Sequence, residues 1–353
     1  MDKDKIKAFS ERVFADMSAS LASGMVYVGV KTGLFRAMDG QGAMSCQQVT
    51  ERSGLQARYV EEWLKGMVSS EYLEYDSEQQ TYLLPDEVAY MLASDDTDHF
   101  VGGLYAMIPV LLAGAPQVAE AFKTGGGVSF SNIGEEGILA LDLLNRGAYQ
   151  HRFVSYWLQA MPAVVEQLEA GGRALDVGCG SGHVSTAVAT GFPQAQVLGI
   201  DPDTASIEQA RKTAAAAECG AEFLAVTTTD LLSDELLGQF DFISACDCVH
   251  DFPDPLATLR EIRQLLTADG TFLVIEPKVA DQLEDNVNSV ATMFYGFSLF
   301  HCMTQSLAVD GCGMGACAGP AKTQQLLAEA GFGSVELLPI KSQVNIFYAA
   351  RKS

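Results

Sequence analysis

From Arg173 onward, short apolar runs alternate with longer amphipathic stretches. The runs "RALDVG", "QVLGID", "EFLAVT", "FDFISAC" and "GTFLVIE" are short and bounded by turn residues, which predicts buried strands. Between them, "GHVSTAVATGF", "DTASIEQARKTAAAAE" and "DPLATLREIRQLL" space their apolar residues for helices. Strand and helix in alternation predict parallel pairing in a doubly wound α/β sheet. The chain closes with a helix, "AKTQQLLAEAGF", and two strands, "SVELLPI" and "NIFYAAR". These two follow one another so closely that one of them is expected to insert antiparallel.

The first half reads differently. Residues Met1 to Asp16 mix charged and apolar positions like the start of an amphipathic helix. Met44 to Glu74 predicts helix, turn, helix, and "EYLEYDSEQQTYLL" predicts a hairpin, together a winged-helix outline. Phe100 to Ala119 holds twenty residues without a charge, close to the length of a membrane span. Gly102, Gly103, Pro109, Gly114 and Pro116 interrupt it, so a broken, buried helix pair is the expectation. After the glycine-rich "KTGGGVSFSNIG", a long helix is predicted over Glu135 to Ala170, with Tyr149, Phe153 and Trp157 on one face. Such a stripe suits a core, or a wall of a ligand cavity. The expected division is a winged-helix domain over 1–134, a linking helix over 135–170 and a catalytic domain over 171–353.

The chain has 353 residues, 48% of them hydrophobic and 19% charged, which excludes wholesale disorder. Twenty-two basic residues against forty-five acidic ones leave a net charge of −23. Residues 1–150 alone carry 11 − 21 = −10. A field of that sign repels nucleic acid and anionic membrane surfaces. The second helix of the winged-helix outline carries Arg58 and Lys65 against Glu61 and Glu62, a poor composition for reading DNA. No basic segment precedes an apolar one at the start, so a signal peptide is not expected. The eight cysteines are scattered through apolar runs and read as reduced, buried thiols of a cytoplasmic protein.

The strongest local signal is Asp176-Val177-Gly178-Cys179-Gly180-Ser181-Gly182, straight after the first strand of the α/β half. Its glycines allow a tight turn and close approach of a ligand to the backbone. The spacing is not that of a dinucleotide fingerprint, and the leading carboxylate is unfavourable beside a pyrophosphate. It suits an ammonium or sulfonium ligand. Asp201 ends the second strand in "GIDPD", where an acid accepts the hydroxyls of a ribose. Asp230 follows the third strand. Each acid alone could be a turn or helix cap; at successive strand ends of one sheet they point to a ligand crevice.

With "ALDVGCGSG" and "GIDPD", residues 170–350 resemble a class I S-adenosylmethionine-dependent methyltransferase, which implies a Rossmann-like, mostly parallel sheet. Together with "YVEEWL", "AFKTGGGV", "FYGFS" and "GCGMGACAGP", the whole chain is similar to a bacterial subgroup with a mainly helical N-terminal winged-helix domain. The architecture is similar to small-molecule O-methyltransferases that dimerise through that domain. The resemblance implies S-adenosyl-L-methionine as cofactor. It places Gly178, Gly180 and Gly182 around that cofactor, Asp176 near its methionine end, Asp201 at its ribose and Asp230 near its adenine. Pro202, Leu231 and Cys246 join the expected cofactor contacts.

After the fourth strand of this sheet comes "CDCVHDFPDP". His250-Asp251-Phe252 is similar to the His-Asp-Trp of O-methyltransferases, whose histidine is a general base, and Phe252 departs from it by lacking the indole. Glu276, ending the next strand, matches a glutamate that orients that base. Imidazole titrates near neutrality and a carboxylate on its other nitrogen fixes the tautomer. Alternatively His250 anchors its loop and Glu276 caps it. The excursion "NSVATMFYGFSLFHCMTQSLAVDGCGMGACAGP" is expected to cap the acceptor site, with Tyr295, His301 and Met303 joining Tyr149, Phe153 and Trp157 as acceptor contacts. His301, Cys302, Cys312 and Cys317 lack the paired spacing of a zinc site, so no metal is expected. His99, His151 and His183 stand alone and read as structural. The expected function is methylation of a small-molecule hydroxyl. The alternatives are methylation of a small thiol or thioether, and a winged-helix regulator that senses S-adenosylmethionine.

Overall fold

The computed structural model describes residues 1–353. The chain forms two compact units, one of Met1–Val110 with Leu139–Ala148, the other of Leu111–Ile138 with Tyr149–Ser353.

The first unit begins with a 30-residue helix, Lys3–Thr32, twice as long as the segment whose pattern predicted one. Asp2 caps its start, accepting from the backbone N–H groups of Asp4 and Lys5, and Gly33 ends it in the left-handed region. This helix is long and apolar enough to cross a membrane by length and composition alone. A short strand β1 (Met44–Ser45) precedes the helices Cys46–Ser53 and Ala57–Ser69; a hairpin of β2 (Glu74–Asp76) and β3 (Thr81–Leu83) follows. The order of the small sheet is β1-β3-β2. Strand β1 has only two residues, too few for alternation to show in a sequence. Val60, Trp63, Leu64 and Met67 line the inner face of the second helix, and Trp63 Nε1 donates to the Met25 carbonyl at 2.8 Å. On its outer face, Arg58 pairs with Glu62 and Lys65 with Glu61, each at 2.5 Å.

The uncharged stretch is a broken helix pair, Gly102–Ala113 and Ala115–Thr124, bent by 50°, but it is not buried throughout: Leu112, Pro116 and Gln117 are exposed. The long helix predicted over Glu135–Ala170 is not continuous. An α-helix, Gly134–Arg152, passes into a π-helical turn, Phe153–Trp157, and a 3₁₀ turn, Leu158–Ala160, before the helix Pro162–Glu169. Pro162 explains the break, since a residue before proline is driven out of the helical region, and Met161 sits at φ −127°, ψ 70°.

The second unit holds a seven-stranded sheet. Its strands are β4 (Arg173–Val177), β5 (Gln196–Ile200), β6 (Glu222–Leu224), β7 (Phe240–Cys246), β8 (Leu266–Pro277), β9 (Ser334–Leu337) and β10 (Asn345–Arg351). Their order is β6-β5-β4-β7-β8-β10-β9. The first five pair in parallel, and β10 inserts antiparallel between β8 and β9. The sheet is the mixed, mostly parallel α/β sheet that the alternating pattern implies. Leu175, Ile243, Phe272, Val274 and Tyr348 anchor its core, with Leu259, Ile262 and Leu265 of the helix Pro255–Leu265 packed on them. The chain leaves β4 for β5 and β6 on one side and returns to β7 on the other. That reversal opens a crevice at the carboxyl ends of β4, β5 and β7, the place where such sheets bind ligands.

Candidate active site

The turn after β4 is held in a shape few residues adopt. Gly178, Gly180 and Gly182 have φ of +68°, +51° and +76°. A Cβ on Gly178 would lie 2.8 Å from Cys248 Sγ, and one on Gly182 would lie 2.8 Å from Ala210 and Phe223. Over Gly180 there is nothing within 4 Å, so the middle of the turn is open to a ligand. The N–H groups of Gly178 and Cys179 both donate to the Ile200 carbonyl, at 2.9 and 3.0 Å. The turn is thereby fastened to the end of β5, and the helix His183–Gly191 starts from it.

Carboxylates converge on this turn. Asp176 is buried; Ser185 Oγ donates to its Oδ2 and Ser244 Oγ to its Oδ1, both at 2.8 Å. Burial pushes its carboxyl up to about 6 in spite of those two donors. Asp201 accepts from the Gly180 N–H at 3.1 Å and the Asp203 N–H at 2.9 Å, and burial raises its carboxyl too. Pro202 directly follows it in the turn. Asp247, one residue past β7, has φ +52°. Tyr149 Oη donates to its Oδ2 at 2.6 Å and Asn345 Nδ2 to its Oδ1 at 2.8 Å. Burial pushes this carboxyl also to about 6, helped by the charge of Glu276. Burying several anions together is costly without a cation among them.

Beyond β7, a 3₁₀ turn over Val249–Asp251 aims His250 at the end of β8. His250 Nδ1 lies 2.6 Å from Glu276 Oε2, and the Val249 N–H donates to Glu276 Oε1 at 3.1 Å. Both side chains are buried. Burial alone would lower the imidazole; the charges of Glu276 and Asp251 outweigh it and hold His250 well above the usual histidine range. Asp251 Oδ1 is 3.6 Å from His250 Nε2, beyond hydrogen-bond reach. With Nδ1 committed to Glu276, Nε2 is the nitrogen left to take a proton.

Residues 168–331 match the family described as Methyltransferase domain, and residues 19–94 match the Rv2258c-like winged HTH domain. The chain carries a methyltransferase domain. Over 103 residues, 28% of this chain, it is 34% identical to the ubiquinone biosynthesis O-methyltransferase of Actinobacillus pleuropneumoniae serotype 5b (strain L20). The chain spans 43% of that relative's length. In solved structures it is similar to human N-acetylserotonin methyltransferase in complex with S-adenosylmethionine, with a TM-score of 0.71, 17% identity and coverage of 97% of each chain. It is similar also to the mitomycin 7-O-methyltransferase, with a TM-score of 0.69, 17% identity, and coverage of 99% of this chain and 100% of that one. The resemblance read from "ALDVGCGSG" and "GIDPD" holds for the domains: a methyltransferase domain over residues 168–331 follows a winged-helix domain over residues 19–94.

The other expected site residues are placed as follows. Asp230 accepts from both the backbone N–H and the hydroxyl of Thr227 at 2.8 Å in an exposed turn, where those donors hold its carboxyl below the usual range. Leu231 is buried in the core of the methyltransferase domain. Cys246 ends β7, and burial pushes its thiol well up. Phe153 and Trp157 are buried in an aromatic cluster with Phe242 and Phe347, centroids 5.0–6.5 Å apart. Only Tyr149 of that stripe reaches a group of the site, through its hydroxyl on Asp247. In the excursion, Tyr295 lies on the helix Ser289–Phe297 and is exposed. His301 is buried beside Phe130, their rings 5.7 Å apart, and burial lowers its imidazole. Met303, half-buried, starts the next helix.

Four residues of the site escaped the sequence reading: Asp247, Asn345, Ser185 and Ser244. For Asp247 the one available signal was a second acid near His250, besides Asp251, in the loop "CDCVHD". Nothing in the sequence marks Asn345, which is 98 residues away from its partner.

Proposed function

We propose that this protein transfers a methyl group to the hydroxyl of a small molecule, with His250 as general base. The observation that carries the reading is the buried His250–Glu276 pair at 2.6 Å, on the strand end next to the carboxylate-lined glycine turn. The O-methyltransferases among its relatives and structural neighbours support the choice of oxygen.

The chain's own residues fit a positively charged donor. Asp176 is buried and Asp201 and Asp247 are half-buried, and burial raises all three carboxyls. S-adenosylmethionine, when bound, supplies an activated methyl on a sulfonium. Gly178, Gly180 and Gly182 admit it to the backbone, and Asp201 offers carboxylate lone pairs to its ribose. Pro202, Leu231, Cys246 and Asp230 complete the proposed cofactor contacts, Asp230 from the rim. His250 Nε2 accepts the proton of the acceptor hydroxyl as the oxygen attacks, and Glu276 holds the imidazolium that forms. Asp251 adds negative charge on the Nε2 side. Tyr149, Phe153, Trp157, Tyr295, His301 and Met303 are assigned to the acceptor side, Phe153 and Trp157 through the packing that holds Tyr149.

Residues 1–134 are assigned to pairing of two copies, 135–170 to a linking segment and 171–353 to catalysis. Ile6, Phe9, Val13, Met17, Leu21 and Val28 leave an exposed apolar stripe along the helix Lys3–Thr32 at helical spacing. A second copy of that helix would cover it. The ion pairs that engage Arg58 and Lys65 speak against DNA as the partner. All eight cysteines are free, which suits a reducing cytoplasm, but only Cys302 is buried as expected; six are half-buried and Cys312 is exposed.

The test is incubation with methyl-labelled S-adenosylmethionine and a metabolite extract, with products read by mass spectrometry. Label on oxygen is expected, and His250→Ala should lower that transfer by about 10²–10⁴-fold. Label on sulfur, with His250→Ala as active as the wild type, would replace this reading by thiol methylation.

A further inference from the structure

The nitrogen of His250 that faces away from Glu276 has company. Cys302, from the π-helical turn Ser298–Cys302, brings its Sγ to the same spot, as does the Asp251 carboxylate. A histidine nitrogen, a thiol sulfur and a carboxylate oxygen lie within 4.8 Å of one another. We propose that these three residues form a zinc site, and that zinc bound there switches methyl transfer off.

Three observations carry this. The donor set of nitrogen, sulfur and oxygen is what a borderline-soft divalent cation takes, and what magnesium and calcium avoid. Ligand atoms around a tetrahedral zinc stand roughly 3.5 Å apart, given bonds of about 2.0–2.3 Å. The Nε2–Oδ1 separation of 3.6 Å already meets that spacing. Second, Asp251 Oδ1 is buried and accepts no hydrogen bond, an uncommon state for a carboxylate oxygen that a cation would relieve. Third, Glu276 holds Nδ1 at 2.6 Å, the outer carboxylate that commonly orients a metal-binding histidine and strengthens its other nitrogen as a ligand. The spacing argument of the sequence concerned His301, Cys302, Cys312 and Cys317. The fold instead joins Cys302 to His250 and Asp251, about fifty residues back along the chain.

The consequence follows from the lone pair. Nε2 has one, and a zinc ion that holds it leaves none for the acceptor's proton. The inhibitory role therefore rests on His250 acting as base, whereas the binding does not. Entry is by way of Asp251, whose side chain is a quarter exposed while His250 is buried.

The full-length protein, stripped with a chelator, is titrated with cobalt(II) as a spectroscopic stand-in, then with zinc, with magnesium as control. One cobalt per chain is expected, with a thiolate-to-cobalt charge-transfer band that zinc abolishes and magnesium does not. Zinc is expected to stop methyl transfer in the wild type. Cys302→Ser should lose the band, keep its metal-free turnover, and need about tenfold more zinc for the same inhibition. Absence of the band in the wild type, or equal zinc sensitivity in Cys302→Ser, overturns the site. A normal band with zinc leaving turnover unchanged or raising it overturns the inhibitory role. Should His250 prove not to be the base, the cobalt spectrum still reports on the site independently.

Discussion

Glu276 ends β8 with one carboxylate oxygen on the imidazole of His250 and the other on the backbone N–H of Val249. A single side chain thus fixes both the ring and the turn that carries it. The His250 imidazole is held above its ordinary range because that carboxylate, with Asp251, outweighs burial.

The pH dependence of turnover should show this. The neutral imidazole is the base, so the rate should rise with pH through the elevated His250 ionisation and level off above it. Glu276→Gln removes the charge and keeps the shape. Its acid limb should move down towards the ordinary histidine value of about 6.5, with turnover reduced. A pH–rate profile of both proteins decides it; an unmoved limb would mean that Glu276 does not set the ionisation.

A second prediction concerns the buried acids. Asp176 and Asp247 titrate at about 6 in the folded chain, against an ordinary 3.8. Each binds its proton more tightly folded than unfolded, so its contribution to stability is full below the ordinary value and lost as pH climbs through about 6. At neutral pH both are charged and a cationic ligand is most valuable. S-adenosylmethionine should therefore raise the melting temperature more than S-adenosylhomocysteine at about pH 7.5, and the gap should narrow at about pH 5. Thermal scans with both ligands measure it, and a gap independent of pH would contradict the electrostatic account.

Gly178→Ala tests the turn itself. The left-handed backbone costs an alanine about 1–2 kcal/mol, and the new methyl lies 2.8 Å from Cys248 Sγ. Loss of cofactor affinity by calorimetry and a lower melting temperature are expected. Gly220→Ala, at a glycine with negative φ and nothing within 4 Å, should change neither.

The stripe on the helix Lys3–Thr32 gives a fourth. Phe9→Glu combined with Met17→Glu places like charges on an apolar face, where they repel their copies on a second helix. Sedimentation should show a dimer for the wild type and a monomer for the double variant, with the glycine turn of the methyltransferase domain still binding cofactor. A monomeric wild type would remove the assembly proposal.

Much of the methyltransferase domain was legible from short windows. A short run rich in apolar residues between turn residues is a strand by its own composition, and three glycines after one make a turn by their own conformational freedom. That one of the last two strands inserts antiparallel was legible too, because the span between β9 and β10 is too short for a helical crossover; that it is β10 only the fold decided. The break at Pro162 could have been read from the proline; the aromatic stripe suggested one continuous helix instead.

What the sequence by itself determined, then, is what depends on neighbours a few positions apart: the strands and helices, the glycine turn, the acids at strand ends, and the histidine after β7. Only the tertiary structure decided which side chains share a site. Asp247 meets Tyr149 and Asn345, each 98 residues distant, because the sheet order sets their elements side by side. Cys302 meets His250 because the excursion folds back over the strand ends. The physical reason is range. Backbone conformation and periodicity are settled within a turn or a strand, whereas the meeting of charges and thiols is settled by how whole elements bury their apolar faces together.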